Sequence, residues 1–257
     1  MKRFSKRIRS LLILCLFLFT GSVRAEGTAE PEPAVQEVIS EDPAAFSESE
    51  TIVLTESTLG SAAGYNYELW KDRGDTTMTV QGDGLFSCQW KEINNALFRI
   101  GKKFDCTRTW EEIGEISVDY GVKYFPAGNS YLCVYGWTRD PLVEYYVVES
   151  WGNWRPPGAQ SLGVITVGDA RYDVYCTERV DQPSIDGTQT FQQFWSVRKG
   201  KSTEGTVLLS EHFRAWQDMG LELGKLYETA LTVEGYQSSG QADVYQNDII
   251  IEEITGG

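Results

Sequence analysis

The chain has 257 residues, with 23 Lys+Arg against 37 Asp+Glu, a net charge of −14 and a single His. So acidic a chain repels the phosphates of nucleic acid, and one His with scattered Cys and no CxxC pair excludes the usual zinc centres. No GxxxxGK[ST] or GxGxxG loop is present, so nucleotide-dependent chemistry has no seat.

Lys2, Arg3, Lys6, Arg7 and Arg9 form a positive n-region, Leu11 to Phe19 an apolar h-region, and Val23-Arg24-Ala25 a cleavage point. Residues 1–25 are therefore expected to be a secretory signal peptide, which makes the protein extracellular. The apolar run is about half of what a bilayer requires, so a membrane anchor is the weaker reading. Residues 26–63 carry nine acids and no basic residue among Pro, Ser, Thr and Ala. Such a composition buries too little apolar surface to offset its ordering entropy, and a disordered acidic leader is expected.

Composition changes again at residue 64. All eight Trp and all thirteen Tyr fall beyond it, and the pattern there has period two. Ser130 to Trp137, Val143 to Trp151, Asp169 to Arg179 and Thr190 to Arg198 read as strands, with turn signals at Pro-Ala-Gly-Asn (126–129) and Arg-Pro-Pro-Gly (155–158). One helix stands out, with Ser210 as N-cap, Glu211 to Asp218 as body and Gly220 beyond its end. The expected class is all-β with one helix, an antiparallel sandwich or barrel. Cys88, Cys106, Cys133 and Cys176 survive signal cleavage, and both bridges and free buried thiols stay open for them.

Two carboxylates stand in strands that have no need of them. Glu144 lies between Val143 and Tyr145, and Glu234 near the end of a strand-like run starting at Tyr227. Either could be a solvated acid on an open face. As a pair among Tyr and Trp they have another meaning, since aromatic planes stack on sugar rings and two carboxyls flanking a glycosidic bond cleave it.

The longer words point one way. Pro141-Leu-Val-Glu-Tyr-Tyr-Val-Val-Glu-Ser-Trp-Gly152, Pro183-Ser-Ile-Asp-Gly187, Gln193-Phe-Trp-Ser-Val-Arg198 and Glu234-Gly-Tyr-Gln-Ser-Ser-Gly240 resemble the motifs of family 11 glycoside hydrolases, the small β-jelly-roll xylanases. Tyr135-Gly-Trp-Thr-Arg139 and Asn153-Trp-Arg-Pro-Pro-Gly158 fit in the same order, and the resemblance covers residues 64–253, leaving 254–257 as a tail. It implies a β-jelly-roll of two twisted antiparallel sheets with one α-helix, a concave cleft and a thumb hairpin. It further implies retaining endo-hydrolysis of β-1,4-xylosidic bonds, with Glu144 as nucleophile and Glu234 as acid/base, their carboxyl groups about 5–5.5 Å apart. Trp70 matches a glycon-side stacking platform, and Tyr135 and Tyr146 match tyrosines that touch sugar and nucleophile. Arg179 and Gln193 match residues that hold the sugar and orient the carboxylates, and Pro183, Ser184 and Ile185 match the thumb tip. His212 falls on the family's lone helix as a packing or capping residue, and Glu149 faces away from Glu144.

The chain departs from the family at Gly101-Lys-Lys-Phe104, where Gly-Lys-Gly-Trp is usual, and carries about two extra residues before it, which a β-bulge is expected to absorb. With that adjustment Asn95 becomes the neighbour of the acid/base. No metal or organic cofactor is implied. The implied partner is xylan or a xylo-oligosaccharide, with no nucleic acid, no membrane after signal cleavage, and a monomeric protein. The competing readings are a jelly-roll carbohydrate-binding protein without turnover and a related β-1,4-glucanase.

Overall fold

The computed structural model describes residues 36–37 and 51–253. The expected signal peptide, most of the leader and the tail 254–257 lie outside the described residues. The elements in order are β1 (Gln36–Glu37), β2 (Ile52–Leu54), β3 (Thr58–Ala62), β4 (Tyr65–Lys71), β5 (Asp75–Val80), β6 (Phe86–Lys91), β7 (Asn95–Lys103), α1 (Trp110–Ile113), β8 (Glu115–Arg139), β9 (Val143–Trp151), β10 (Gly163–Val167), β11 (Ala170–Ser184), β12 (Gly187–Arg198), β13 (Glu204–Leu208), α2 (Leu209–Asp218) and β14 (Lys225–Glu252).

The all-β jelly-roll class holds, but its two layers are one hydrogen-bonded sheet rather than two. The long strands β8 and β14 pair with each other almost end to end and serve both layers. The first half of β14 pairs with β7 over 228–236, and the second half with β6 over 240–244. The larger layer runs β3-β4-β7-β14-β8-β9-β12-β11-β10, and β2, β5, β6 and β13 complete the smaller one. Register shifts between Tyr236 and Ser239 and between Val244 and Gln246 mark where the ribbon turns. Pro-Ala-Gly-Asn (126–129) is therefore a bend inside β8, not the turn expected there. Gly128 adopts φ 113° in this bend, opposite the first of those shifts. Nor is every pairing antiparallel, because β12 runs parallel to β9.

The alternation expected from period two sorts the two faces. Tyr145 and Val147 point into the core between the layers, with Phe98, Ile100, Val118, Val233 and Val244. Tyr146 and Val148 point to the other face of the large layer, with Leu97, Tyr131, Tyr135, Trp137, Tyr175, Phe191 and Trp195.

Four local expectations need correction. The ordered domain starts before residue 64: β2 pairs with β5 and β3 with β4, and Leu54 and Ala62 are buried in the core. Scattered apolar residues in an acidic stretch are enough to fill a sheet edge. Helix α2 begins at Leu209, so Ser210 lies inside it rather than capping it, and its hydroxyl accepts the Ile116 N–H at 2.8 Å. The one-turn helix α1 was not expected, although Thr109 to Glu112 has the capping-box spelling and the Thr109 N–H reaches Glu112 Oε2 at 2.8 Å. Finally, β7 pairs with β14 without any register shift, so no bulge absorbs the extra residues. They form the β6–β7 turn, with Glu92 at φ 49° and Ile93 buried.

If β2 and β3 belong to the domain, a chain starting at residue 64 should melt several degrees below one starting at 51, because core burial at Leu54 and Ala62 is lost with both strand pairings. Thermal unfolding of the two truncations checks this. Equal midpoints would return these strands to the leader.

Candidate active site

The outer face of the large layer is a floor of aromatic rings carrying two carboxyls. Glu144 of β9 lies across from Trp137 of β8 on one side and Gln193 of β12 on the other. Tyr146, two residues on and on the same face, lies across from Tyr135 and Trp195. This register brings three donors to one carboxylate. Tyr135 Oη donates to Glu144 Oε1 at 2.8 Å, Tyr146 Oη to the same oxygen at 3.1 Å, and Gln193 Nε2 to Oε2 at 2.5 Å. Trp137 Nε1 in turn donates to Tyr135 Oη at 2.5 Å, which orients that hydroxyl toward the acid. Tyr146 stacks flat on Trp195 at 3.9 Å between ring centres and meets Tyr135 edge-on at 5.0 Å, so neither phenol can swing away. Glu144 is 8% exposed. Burial raises its pKa, and the hydrogen bonds from Gln193, Tyr135 and Tyr146 oppose that rise.

Glu234 of β14 shares Tyr146 and the Arg179 charge with Glu144 but lacks its other two donors. It lies across from Leu97 on β7 and Tyr131 on β8. Although the residue is half-buried, its Oε2 is shut off from solvent and has no hydrogen-bond partner in the protein. Desolvation first, and then the like charge of Glu144, push its pKa up to about 8. One carboxyl of the pair is thus surrounded by donors and the other keeps its proton at neutral pH.

The other expected residues divide. Trp70 sits across from Leu97 on β4, and its ring packs on the floor beside Glu234's row. Gln193 touches the nucleophile candidate directly. Arg179 does not: it stands exposed at the register shift of the β11–β12 hairpin and donates to Gln182 Oε1 at 3.2 Å, acting on both carboxyls through its charge alone. Pro183, Ser184 and Ile185 form the tip of that hairpin. Ser184 Oγ closes the turn on Gly187 O at 2.6 Å, Pro183 is exposed, and Ile185 packs on the aromatic floor. Arg139 ties the tip down through a forked contact to Asp186, with Nε 3.0 Å from both carboxylate oxygens.

Asn95 shares the face but lies across from Tyr236, two pairs along from Glu234, with Leu97 directly opposite the acid. Its N–H bonds to Asp72 Oδ1 at 2.8 Å, while its buried Oδ1, like Glu234 Oε2, has no partner. Asn95 is therefore a diagonal neighbour of Glu234 and not the directly paired one.

His212 packs as expected: it is buried, its Nδ1 lies 3.0 Å from Ser196 Oγ, and burial pulls its pKa down to about 3. All four of Cys88, Cys106, Cys133 and Cys176 are free thiols. Among the described residues no cluster of His, Cys, Asp and Glu is arranged to hold a metal ion.

The sequence reading missed two charged residues on this floor, Arg99 and Glu228. Each interrupts an apolar or aromatic strand, the same anomaly that singled out Glu144 and Glu234.

A jelly-roll that buries two carboxyls among aromatic rings on one open face has the construction of polysaccharide hydrolases, with one group able to attack and one able to donate a proton. Residues 62–245 match the sequence profile of the glycosyl hydrolases family 11, and the chain belongs to that family. It is 60% identical over 199 residues to an endo-1,4-beta-xylanase A of Thermoclostridium stercorarium, covering 77% of this chain and 31% of that protein. It is 56% identical over 198 residues to an endo-1,4-beta-xylanase A of Bacillus pumilus, covering 77% of this chain and 86% of the relative. The chain thus spans about a third of the length of the Thermoclostridium protein and most of the Bacillus one. Among solved structures, the family 11 xylanase from Neocallimastix patriciarum superposes with a TM-score of 0.74 at 35% identity, covering 79% of this chain and all of that one.

The raised pKa of Glu234 has a consequence for stability. Its folded value lies above that of an unfolded carboxyl, so the protonated form stabilises the fold at acid pH, and this contribution is lost as pH rises toward about 8. Glu234→Gln should therefore raise the melting temperature by a few degrees at pH 8 and leave it unchanged at pH 4. Differential scanning calorimetry at the two pH values reads this directly, and an equal effect at both would refute the assigned burial.

Proposed function

We propose that this chain is a secreted endo-β-1,4-xylanase that cleaves xylan with retention by double displacement. The observation that carries the reading is the asymmetry of the carboxyl pair. Glu144, surrounded by three donors, is the nucleophile. Glu234, protonated and with a free Oε2, is the acid/base. In the first step Glu144 attacks the anomeric carbon while Glu234 gives its proton to the leaving oxygen. With that proton gone and Glu144 esterified, the like charge that added to the desolvation of Glu234 disappears, and the Glu234 carboxylate can take a proton from the incoming water. Trp70 provides the stacking plane for a glycon-side sugar, and Ile185 on the hairpin tip covers the chain. Secretion rests on the charge and apolar pattern of residues 1–25, and monomeric action on the family resemblance.

Activity needs Glu144 ionised and Glu234 protonated, so kcat/KM should follow a bell whose alkaline limb lies near pH 8. In Glu144→Gln the like charge is gone, and the Glu234 titration followed by NMR should move to lower pH. A Glu234 titration that stays in place would remove Glu144 as its partner.

Glu144→Gln should abolish turnover on every xyloside, because an amide cannot displace the leaving group. Glu234→Gln should lose activity on xylo-oligosaccharides yet form the glycosyl-enzyme from an activated aryl xyloside, which needs little protonation. Equal losses on the aryl substrate would show the role assignment to be wrong. Product analysis on unsubstituted xylo-oligosaccharides tests substrate and stereochemistry together: binding without cleavage would mean a carbohydrate-binding protein, and faster cleavage of β-1,4-glucan a glucanase.

A further inference from the structure

Three charged side chains lie on or beside the aromatic floor without taking part in the steps above. Arg99 of β7 is 7% exposed, and Glu228 of β14 is 2% exposed. Arg99 Nε donates to Glu228 Oε1 at 3.2 Å, and its Nη2 to Glu68 Oε2 of β4 at 2.7 Å. A buried ion pair with a half-buried third member is an expensive way to stabilise a sheet, since well-packed apolar side chains of similar volume do as well or better. Its position suggests another use. The guanidinium lies 5.1 Å from the centre of the Tyr135 ring, and the hydroxyl of that ring donates to Glu144.

Resting on the xylanase reading, we propose that Arg99, clamped by Glu228 and Glu68, is a positioning residue for the nucleophile. It fixes the Tyr135 ring so that its hydroxyl meets Glu144 Oε1, and it is the buried positive charge that offsets the carboxyl pair.

Two features of the geometry support this. The two carboxylates take two different nitrogens of the planar guanidinium, Nε and Nη2, so the plane has one orientation, which a flexible ammonium would not share. A cation against the face of a phenol also acidifies its O–H and strengthens the hydrogen bond it donates. Arg99 is faced by Glu68 from β4, Glu228 from β14, Tyr135 from β8 and Glu144 from β9. The carboxyl pair is faced in addition by Tyr146 of β9 and Arg179 of β11, and by Tyr131 and Cys133 of β8. Lys103 of β7 faces Glu228. Among the cations, Arg99 is the buried one, whereas Arg179 is exposed and screened by solvent.

The test follows the carboxyl carbons of Glu144 and Glu234 by carbon-13 NMR titration in the free protein, together with kcat and KM against pH on unsubstituted xylo-oligosaccharides. Glu228→Gln keeps an oxygen for Arg99 Nε but leaves the cation less neutralised, so both carboxyl titrations should fall by about half a pH unit. Arg99→Met should move both the other way and lower kcat about tenfold, with KM changed less. Arg99→Lys should bring the titrations back but only part of kcat, since the charge returns without the fork. Carboxyl titrations that stay at their wild-type positions in Glu228→Gln and Arg99→Met would overturn the proposal. Should Arg99→Met fail to fold, Glu228→Gln decides alone by the presence or absence of its acid shift. A wild-type protein inert on xylan would defeat the xylanase reading, while the NMR titrations would still decide whether Arg99 acts on the pair.

Discussion

Two carboxyl groups buried within reach of each other cannot both be charged. Their mutual repulsion grows as solvent is excluded, and each loses hydration on burial. The fold resolves the conflict by treating them unequally. Tyr135, Tyr146 and Gln193 all donate to Glu144, while Glu234 is left without a donor on Oε2 and retains its proton. The two protonation states are therefore set apart by the fold itself, because the difference in environment favours the charged form of one carboxyl and the neutral form of the other. Most other features of the open face serve to keep those donors in place.

Holding them requires a surface that does not flex, and the sheet provides one. Glu144, Tyr146, Tyr135, Trp137, Gln193 and Trp195 come from three adjacent strands in fixed register, so their spacing is a property of backbone pairing and not of loops. Stacked and edge-on rings then remove the remaining side-chain freedom. The register is protected from behind by the apolar core, because a slip of one residue would send Tyr145 and Val147 to the open face and Glu144 into the interior. Sharing β8 and β14 between both layers adds to this. Neither layer can shift without carrying the strands that bear Glu234 and Tyr135.

Much of this is legible in the residues. Val143 to Trp151 is a strand with the limits read from its pattern, and the two interrupting acids share the aromatic face, Glu144 buried and Glu234 half-buried. What stayed hidden has physical causes. The ends of β8 and β14 cannot be read locally, since strands of this length bend through bulges and glycines that look like turns, as at residues 126–129. The strands β2 and β3 hide in an acidic stretch because an edge strand needs only alternate apolar residues. Arg99 and Glu228 are 129 positions apart in the chain, and nothing in either segment alone announces a pairing that exists only across β7 and β14.

Glu149 shows that burial by itself does not give a carboxyl the setting of the Glu144–Glu234 pair. It shares β9 with Glu144, is 3% exposed, and its pKa is likewise raised by desolvation and opposed by hydrogen bonds. Five residues on, it points into the core between the layers. There Tyr172 donates to Oε1 at 2.8 Å, Tyr120 to Oε2 at 2.8 Å, and Arg198 adds its charge at 3.2 Å. Its donors match those of Glu144 in number, with two tyrosines in each set and the Arg198 cation in place of the neutral Gln193 amide. The difference is that Glu149 has no second carboxyl holding a proton nearby and no open face from which a sugar could approach, so its network links β8, β9, β11 and β12 and does nothing else. What sets Glu144 apart on this strand is its pairing with a protonated acid on an accessible face, and the alternation of the strand decides which of the two glutamates has that neighbour.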